Sequence, residues 1–291
     1  MPKKARNTFK HKTIAIIYDF DGTLSPLPMQ EYTVLPEIGI RGKRFWEEVR
    51  EENTRISGEG MITYMMKMLE LANSKKIPIT RRNLGRLSNR IRYFPGVERY
   101  FPRINRYVRR ISSNRVQVRH YVISAGLREI LEKASIRKYF KQIYASEYFF
   151  DHYGAAQFPK LVVTDTVKTQ FLFRINKGRE KISENVNEHM PAHLRAIPFS
   201  NILYIGDGLS DVPCMTVTTK NGGYAVAVYK NGKGLTECKN LWRARRVDFI
   251  AKADYRQGSA LDKTIKVVLD AMTKGIFFQE TAFKQFVKLK V

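Results

Sequence analysis

Asp19-Phe20-Asp21-Gly22-Thr23 places two carboxylates one residue apart, then a glycine and a hydroxyl. Residues of these types can attack phosphorus, carry a proton and hold a divalent cation, while the hydroxyl and nearby amides grip phosphoryl oxygens. The apolar run Thr13-Ile14-Ala15-Ile16-Ile17-Tyr18 leads straight into the loop. Such a run reads as a buried parallel strand, and ligands in open α/β sheets gather at the carboxyl ends of strands. A turn whose aspartates only cap a helix has the same composition, so the loop gains meaning from what answers it downstream.

Three segments do. Tyr121-Val122-Ile123-Ser124-Ala125-Gly126 reads as a strand ending in a hydroxyl and a glycine, and Leu127 to Ser135 as the helix after it. The amides near Ser124, Ala125 and Gly126 are then expected to face an anion. Lys168 opens the apolar helical pattern Phe171, Leu172, Ile175. Ile202 to Gly206 reads as a further strand, running into Asp207-Gly208-Leu209-Ser210-Asp211. Each has a bland reading by itself, a helix cap for the serine and a solvated residue for the lysine.

In order and residue type the four segments resemble the motifs of the haloacid dehalogenase superfamily in its phosphatase form, with likeness to bacterial relatives of phosphoserine phosphatase. Asp19 and Asp21 match the first motif, Ser124 the second, Lys168 the third, and Asp207 with Asp211 the fourth. The resemblance implies a Rossmann-like three-layer α/β core with a central parallel sheet and a helical cap inserted after the first motif. It implies hydrolysis of phosphomonoesters through an aspartyl-phosphate on Asp19, with Asp21 as acid and base and Lys168 offsetting charge. Thr23, Ser124, Ala125 and Gly126 would hold the phosphoryl group. Asp19, Asp21 and Asp207 would bind magnesium, with Asp211 beside the metal or holding Lys168. The Lys168–Asp207 stretch carries an insert near Arg179 to Pro198, so Lys177 is an alternative third-motif lysine. Lys168 is preferred because it stands at its helix start, near the strand ends. A phosphomutase would share both first-motif aspartates.

These residues must be positioned by the elements between them. About a hundred residues separate Asp21 from Ser124, far more than one crossover helix needs. Helical spacing recurs there: Phe45, Trp46, Val49; Ile62, Met65, Met66, Leu69; Leu84, Leu87, Ile91; Val97, Phe101, Ile104, Val108. Residues 26–111 are therefore expected to form the cap, over a core of 1–25 and 112–291. Gln30 and Glu31 are candidate substrate contacts, and Met65, Met66 and Met68 are expected in the cap core. Tyr148 to Thr164 reads as a β-hairpin near the site, Tyr224 to Val228 and Val247 to Ile250 as late strands, and Leu261 to Met272 as a closing helix. His189 and His193 have a metal-like spacing, but Pro191 between them breaks the helix it requires.

Hydrophobic residues at 43% and aromatics at 12% suffice for a packed core and exclude wholesale disorder. No apolar run has the length of a membrane span, and the chain does not start with a charged-then-apolar signal. Cys214 and Cys238 lack metal-binding spacing, and a cytoplasmic location is expected. The charge is what the resemblance leaves unexplained. Of a net +25, residues 75–119 contribute fourteen cations against the single anion Glu98. Lys3, Lys4, Arg6, Lys10 and Lys12 form a smaller cluster. Such a field attracts polyanions, so a nucleic-acid-associated protein is the alternative to a small phosphorylated substrate. An ordinary solvated face accounts for the same charge.

Overall fold

The computed structural model describes residues 8–289. Seven strands form one sheet in the order β4-β3-β2-β1-β5-β6-β7. They are β1 (Thr13–Tyr18), β2 (Gln117–Leu127), β3 (Phe140–Phe150), β4 (Ala156–Leu161), β5 (Ile202–Gly206), β6 (Tyr224–Tyr229) and β7 (Phe249–Lys252). All neighbours run parallel except β3 and β4, which form the expected antiparallel hairpin. The order reverses at β1, which lies between β2 and β5, and this is the switch point where such sheets open a crevice.

Alternation along β1 divides the core. Ile14, Ile16 and Tyr18 point into one apolar cluster and Ala15 and Ile17 into the other, so both sheet faces are covered. Eleven α-helices are described: α1 (Met29–Tyr32), α2 (Val34–Glu37), α3 (Gly42–Ile56), α4 (Gly60–Ser74), α5 (Arg81–Leu87), α6 (Val97–Ile111), α7 (Arg128–Leu131), α8 (Val167–Lys177), α9 (Val212–Lys220), α10 (Gly232–Arg243) and α11 (Ala260–Leu289). The layers match the expected three-layer α/β core, with the helical insertion between β1 and β2.

Several local expectations are corrected. The helix expected over Leu127 to Ser135 is one turn, because β2 continues to Leu127 before α7 begins. The closing helix runs to Leu289, seventeen residues past the expected end. The last strand is Phe249–Lys252, shifted two residues from the sequence reading. Met65 and Met68 are fully buried, whereas Met66 is exposed. In the long insertion, α6 packs on β2 and α11, and its Tyr100 and Phe101 rings meet Tyr18 beneath the sheet centre. A buried polar chain crosses this layer. His120 is hydrogen-bonded to Tyr18 at 3.0 Å and to Asn105 at 2.9 Å, and burial pushes its pKa down to about 3, so the imidazole is neutral and structural.

No helix among the described residues is long and apolar enough to cross a membrane. Lys3, Lys4 and Arg6 lie outside the described residues.

Candidate active site

Strand register brings the chemistry together. Tyr18 of β1 sits opposite Val122 of β2 and Ile205 of β5, so Asp19, Ser124 and Asp207 leave the sheet at one edge. The Asp19 amide donates to the Ile205 carbonyl at 2.9 Å, which fixes where the first loop starts. The loop then folds on itself, with the Leu24 and Ser25 amides donating to the Phe20 carbonyl and the Gly22 amide to the Ser25 carbonyl. Gly22 has φ +81°, and a Cβ there would collide with the Asp207 carboxylate. Two independent constraints thus demand glycine, a left-handed backbone and a close approach. From below, the Tyr255 hydroxyl donates to the Thr23 carbonyl at 2.9 Å.

Lys168 stands in the first turn of α8 and reaches up to these strand ends. Its side chain is 1% exposed, and its ammonium donates to Asp19 Oδ1 at 3.0 Å and Asp211 Oδ1 at 2.8 Å, with Ser210 Oγ at 3.3 Å. Burial alone would lower the Lys168 pKa, but the two carboxylates outweigh it and hold the amine protonated. Asp211 is fully engaged. Its Oδ1 also accepts from Tyr204 at 2.8 Å, and its Oδ2 from the Asp207 amide at 3.2 Å. A Cβ at Gly206 would strike this carboxylate, so the strand must end in glycine for Asp211 to tuck beneath it.

The site holds more negative than positive charge. Burial pushes Asp19 up to about 7, although Lys168 opposes the shift. Burial, with the charges of Asp19 and Asp211, pushes Asp207 up to about 8. Asp21 is raised well above the usual carboxylate range by burial and then by Asp19, and its Oδ1 accepts from the Met29 amide at 2.8 Å. Asp19, Asp207 and Asp211 can each offer a carboxylate oxygen within 4.8 Å of the others. An all-oxygen donor set short of positive charge fits a hard divalent cation.

The residues expected to hold a phosphoryl group line the same edge. Ser124 is fully buried and its Oγ accepts from the Gly126 amide at 3.0 Å. The Thr23 hydroxyl oxygen is buried without a protein partner. The Ala125 carbonyl accepts from the Tyr64 hydroxyl at 2.9 Å, which ties α4 to the end of β2. The amides that follow are already engaged, Gly126 with Ser124 Oγ and Leu127 with Met29 Sδ at 3.3 Å, and α7 behind them is a single turn.

Other sequence candidates lie elsewhere or are occupied. Lys177, at the far end of α8, donates to the Val186 and Glu188 carbonyls at 2.7 and 2.8 Å, and so holds the 178–198 segment. Gln30 is buried with its Oε1 unpartnered, while Glu31 accepts from the Trp46 indole at 2.9 Å. His189 and His193 are exposed, and Cys214 and Cys238 are buried free thiols. Sequence reasoning missed the three tyrosines that brace the site, Tyr64, Tyr204 and Tyr255. Tyr204 gave a signal, since a tyrosine inside the fully buried strand Ile202–Gly206 needs a partner for its hydroxyl.

The family model for haloacid dehalogenase-like hydrolases matches residues 16–216. An uncharacterised protein of Borreliella burgdorferi is 29% identical over 277 residues, covering 87% of this chain and 95% of that one. Among solved structures, a HAD family hydrolase from Salmonella enterica serovar Typhi gives a TM-score of 0.58 at 13% identity, covering 89% of this chain and 72% of that one. A substrate-bound phosphoserine phosphatase gives 0.55 at 14% identity, with 88% and 98% covered. At such identities the structural likenesses establish the fold.

Proposed function

The chain belongs to the haloacid dehalogenase-like hydrolase family and has the fold of a phosphatase-like hydrolase, and from that premise we propose that it is a magnesium-dependent phosphomonoesterase acting on a small phosphorylated metabolite. The observation that carries this reading is the buried Lys168 ammonium held between Asp19 and Asp211, beside Asp21 and Asp207. A site with these groups can receive a phosphoryl dianion and stabilise the charge that builds on it.

In the first step an Asp19 oxygen bonds to phosphorus and the ester oxygen leaves. Asp21, whose pKa burial and then the Asp19 charge raise, favouring the acid form, gives that oxygen its proton. In the second step Asp21 takes a proton from water, the water oxygen bonds to phosphorus, and the bond to Asp19 breaks to release phosphate. Lys168, the Ser124 hydroxyl and the Thr23 hydroxyl face the phosphoryl oxygens, where preorganised donors stabilise developing charge. Asp19, the Asp21 backbone carbonyl and Asp207 would hold magnesium, which when bound supplies positive charge against the phosphoryl oxygens. We assign Asp211 to positioning, because both its oxygens are already taken by protein donors.

The cap over the site is taken as the insertion up to α5, with α6 counted in the core because it packs on β2 and α11. Tyr64 and the buried Gln30 then lie on the cap side of the substrate. The matched family and neighbours lend no support to a nucleic-acid partner. The two unpaired thiols support a reducing, cytoplasmic setting.

The test is a screen of phosphorylated metabolites with the protein first stripped of metal by chelator. Turnover should be absent until magnesium is restored, and Asp207→Ala should raise the magnesium required or remove activity. Full activity in excess chelator would contradict the proposal.

A further inference from the structure

The positive charge that catalysis leaves unused gathers on α6. Its buried face is Val97, Tyr100, Phe101, Ile104 and Val108. At 3.6 residues per turn, Arg99, Arg103, Arg106 and Arg110 fall together on the opposite side. Where this stripe meets α11 and the turn before it lies a cavity of about 210 Å³, lined by Arg103, Arg106, Tyr107, Arg110, Gln257 and Lys266.

Two of its cations are fixed and balanced by the protein. The buried Asp262 accepts from Arg103 at 3.2 Å and from Lys266 at 2.6 Å, and Arg103 also donates to the Tyr255 carbonyl at 2.6 Å. The Arg110 guanidinium and the Lys266 ammonium lie over the Tyr107 ring at 5.5 and 5.4 Å, and the Tyr107 hydroxyl donates to Asp270 at 2.7 Å. Arg106 and Arg110 are exposed and have no carboxylate partner among the described residues. Like charges four residues apart destabilise a helix. Here two such cations stand at a concavity that already holds two more, and its nearby acids, Asp262 and Asp270, are taken up by Arg103, Lys266 and Tyr107.

We propose that this cavity is a binding site for a compact anion bearing a phosphoryl group. Guanidinium forks match the oxygens of phosphate, often in pairs, and an ammonium adds a point charge. Gln257 contributes an amide donor at the rim. The volume is on the order of seven times the ~30 Å³ a water occupies in the liquid, room for a phosphate or pyrophosphate. Convergence of cations from two helices on one hollow favours a compact ligand over a polymer tracking along the surface. The assignment stands apart from the carboxylate site and does not depend on it.

The test titrates inorganic pyrophosphate into the full-length protein at low salt without added metal, when the acidic site has no cation to attract anions. Calorimetry should show saturable, one-site binding. Arg106→Glu with Arg110→Glu should weaken it by about tenfold or more, as expected for lost charge-assisted contacts. Arg106→Gln with Arg110→Gln should weaken it in the same direction without introducing new charge. Arg81→Glu with Arg82→Glu, an equal change elsewhere on the basic segment, should leave it intact. Non-saturable binding, or equal loss in both glutamate pairs, would reduce the site to diffuse charge and overturn the proposal. So would capture of an oligothymidylate or of phosphatidylglycerol vesicles that depends on Arg106 and Arg110 and is not displaced by pyrophosphate.

Discussion

The carboxylate site and the arginine face of α6 are both dense in charge, and they satisfy it in opposite ways. At the strand ends Lys168 is almost entirely removed from water and touches two carboxylates, and both Asp211 oxygens accept from protein donors. On α6 Arg103 is paired with Asp262, but Arg106 and Arg110 stand in solvent and lack an ion-pair partner among the described residues. Burial forces compensation, because an unpaired charge in a low-dielectric interior is far costlier than one in water. Water tolerates the imbalance on α6. A charge at the catalytic edge is therefore fixed by its partners and sensitive to each of them, while an unpaired charge on α6, such as Arg106 or Arg109, is nearly free to change.

The contrast breaks most visibly at Lys168. Lys168→Ala leaves Asp19 and Asp211 facing each other without a cation, so kcat should fall by about 10²–10³-fold, as when a preorganised donor is removed. Thermal unfolding should show a loss of about 3 kcal/mol or more from the broken buried pair. Removing Arg109 on α6 in the same way should move neither readout appreciably. If Lys168→Ala kept near-normal turnover, the two regions would not differ as described.

A second effect follows from the raised carboxylates. Asp19 and Asp207 rise from an ordinary 3.8 to about 7 and about 8 in the metal-free protein. The folded state therefore binds more protons than the unfolded one between those values, and stability falls as pH rises through that window. A divalent cation competes with these protons, so the gain in Tm on adding magnesium should be larger at pH 8 than at pH 5. Differential scanning fluorimetry reads this directly, and an equal gain at both pH values would contradict it.

The smallest effect sharpens the division between positioning and contact. Tyr204→Phe removes one of the two hydrogen bonds to Asp211 Oδ1 and leaves Lys168 in place. It should cost about 1 kcal/mol in stability. Steady-state kinetics should show a few-fold loss in kcat with KM unchanged. A raised KM instead would put Tyr204 in contact with substrate.

How far the sequence reveals all this depends on what each signal reports. Asp19, Ser124 and Asp207 are legible because a strand running into a special loop marks its own carboxyl end and the sheet then brings those ends together, and Lys168 is legible as the lysine opening an apolar helical pattern. Periodicity is weaker evidence, since Val97, Phe101, Ile104 and Val108 repeat identically whether their helix lies in a cap or on a sheet. The pattern does not announce that α6 packs on β2 and α11. The one-turn α7 was overcalled because nothing in Leu127 to Ser135 marks how far β2 continues. The tyrosines bracing the site carry no local motif: Tyr64 and Tyr255 bond main-chain carbonyls of distant segments, and Tyr204 bonds a carboxylate seven residues on. The cavity beside Tyr107 needs α11 docked on α6, and no local pattern announces that contact.

The central claim is the covalent bond to Asp19, and trapping it is the most direct measurement. Asp21→Asn should still accept a phosphoryl group from a substrate with a good leaving group, but should lack the base that activates water. After acid quench, proteolysis and mass spectrometry, the account predicts a phosphoryl adduct on the peptide carrying Asp19, absent without magnesium and absent when Asp19→Asn is added. Turnover in the Asp19→Asn protein near the wild-type rate, or an adduct on another residue, would contradict it.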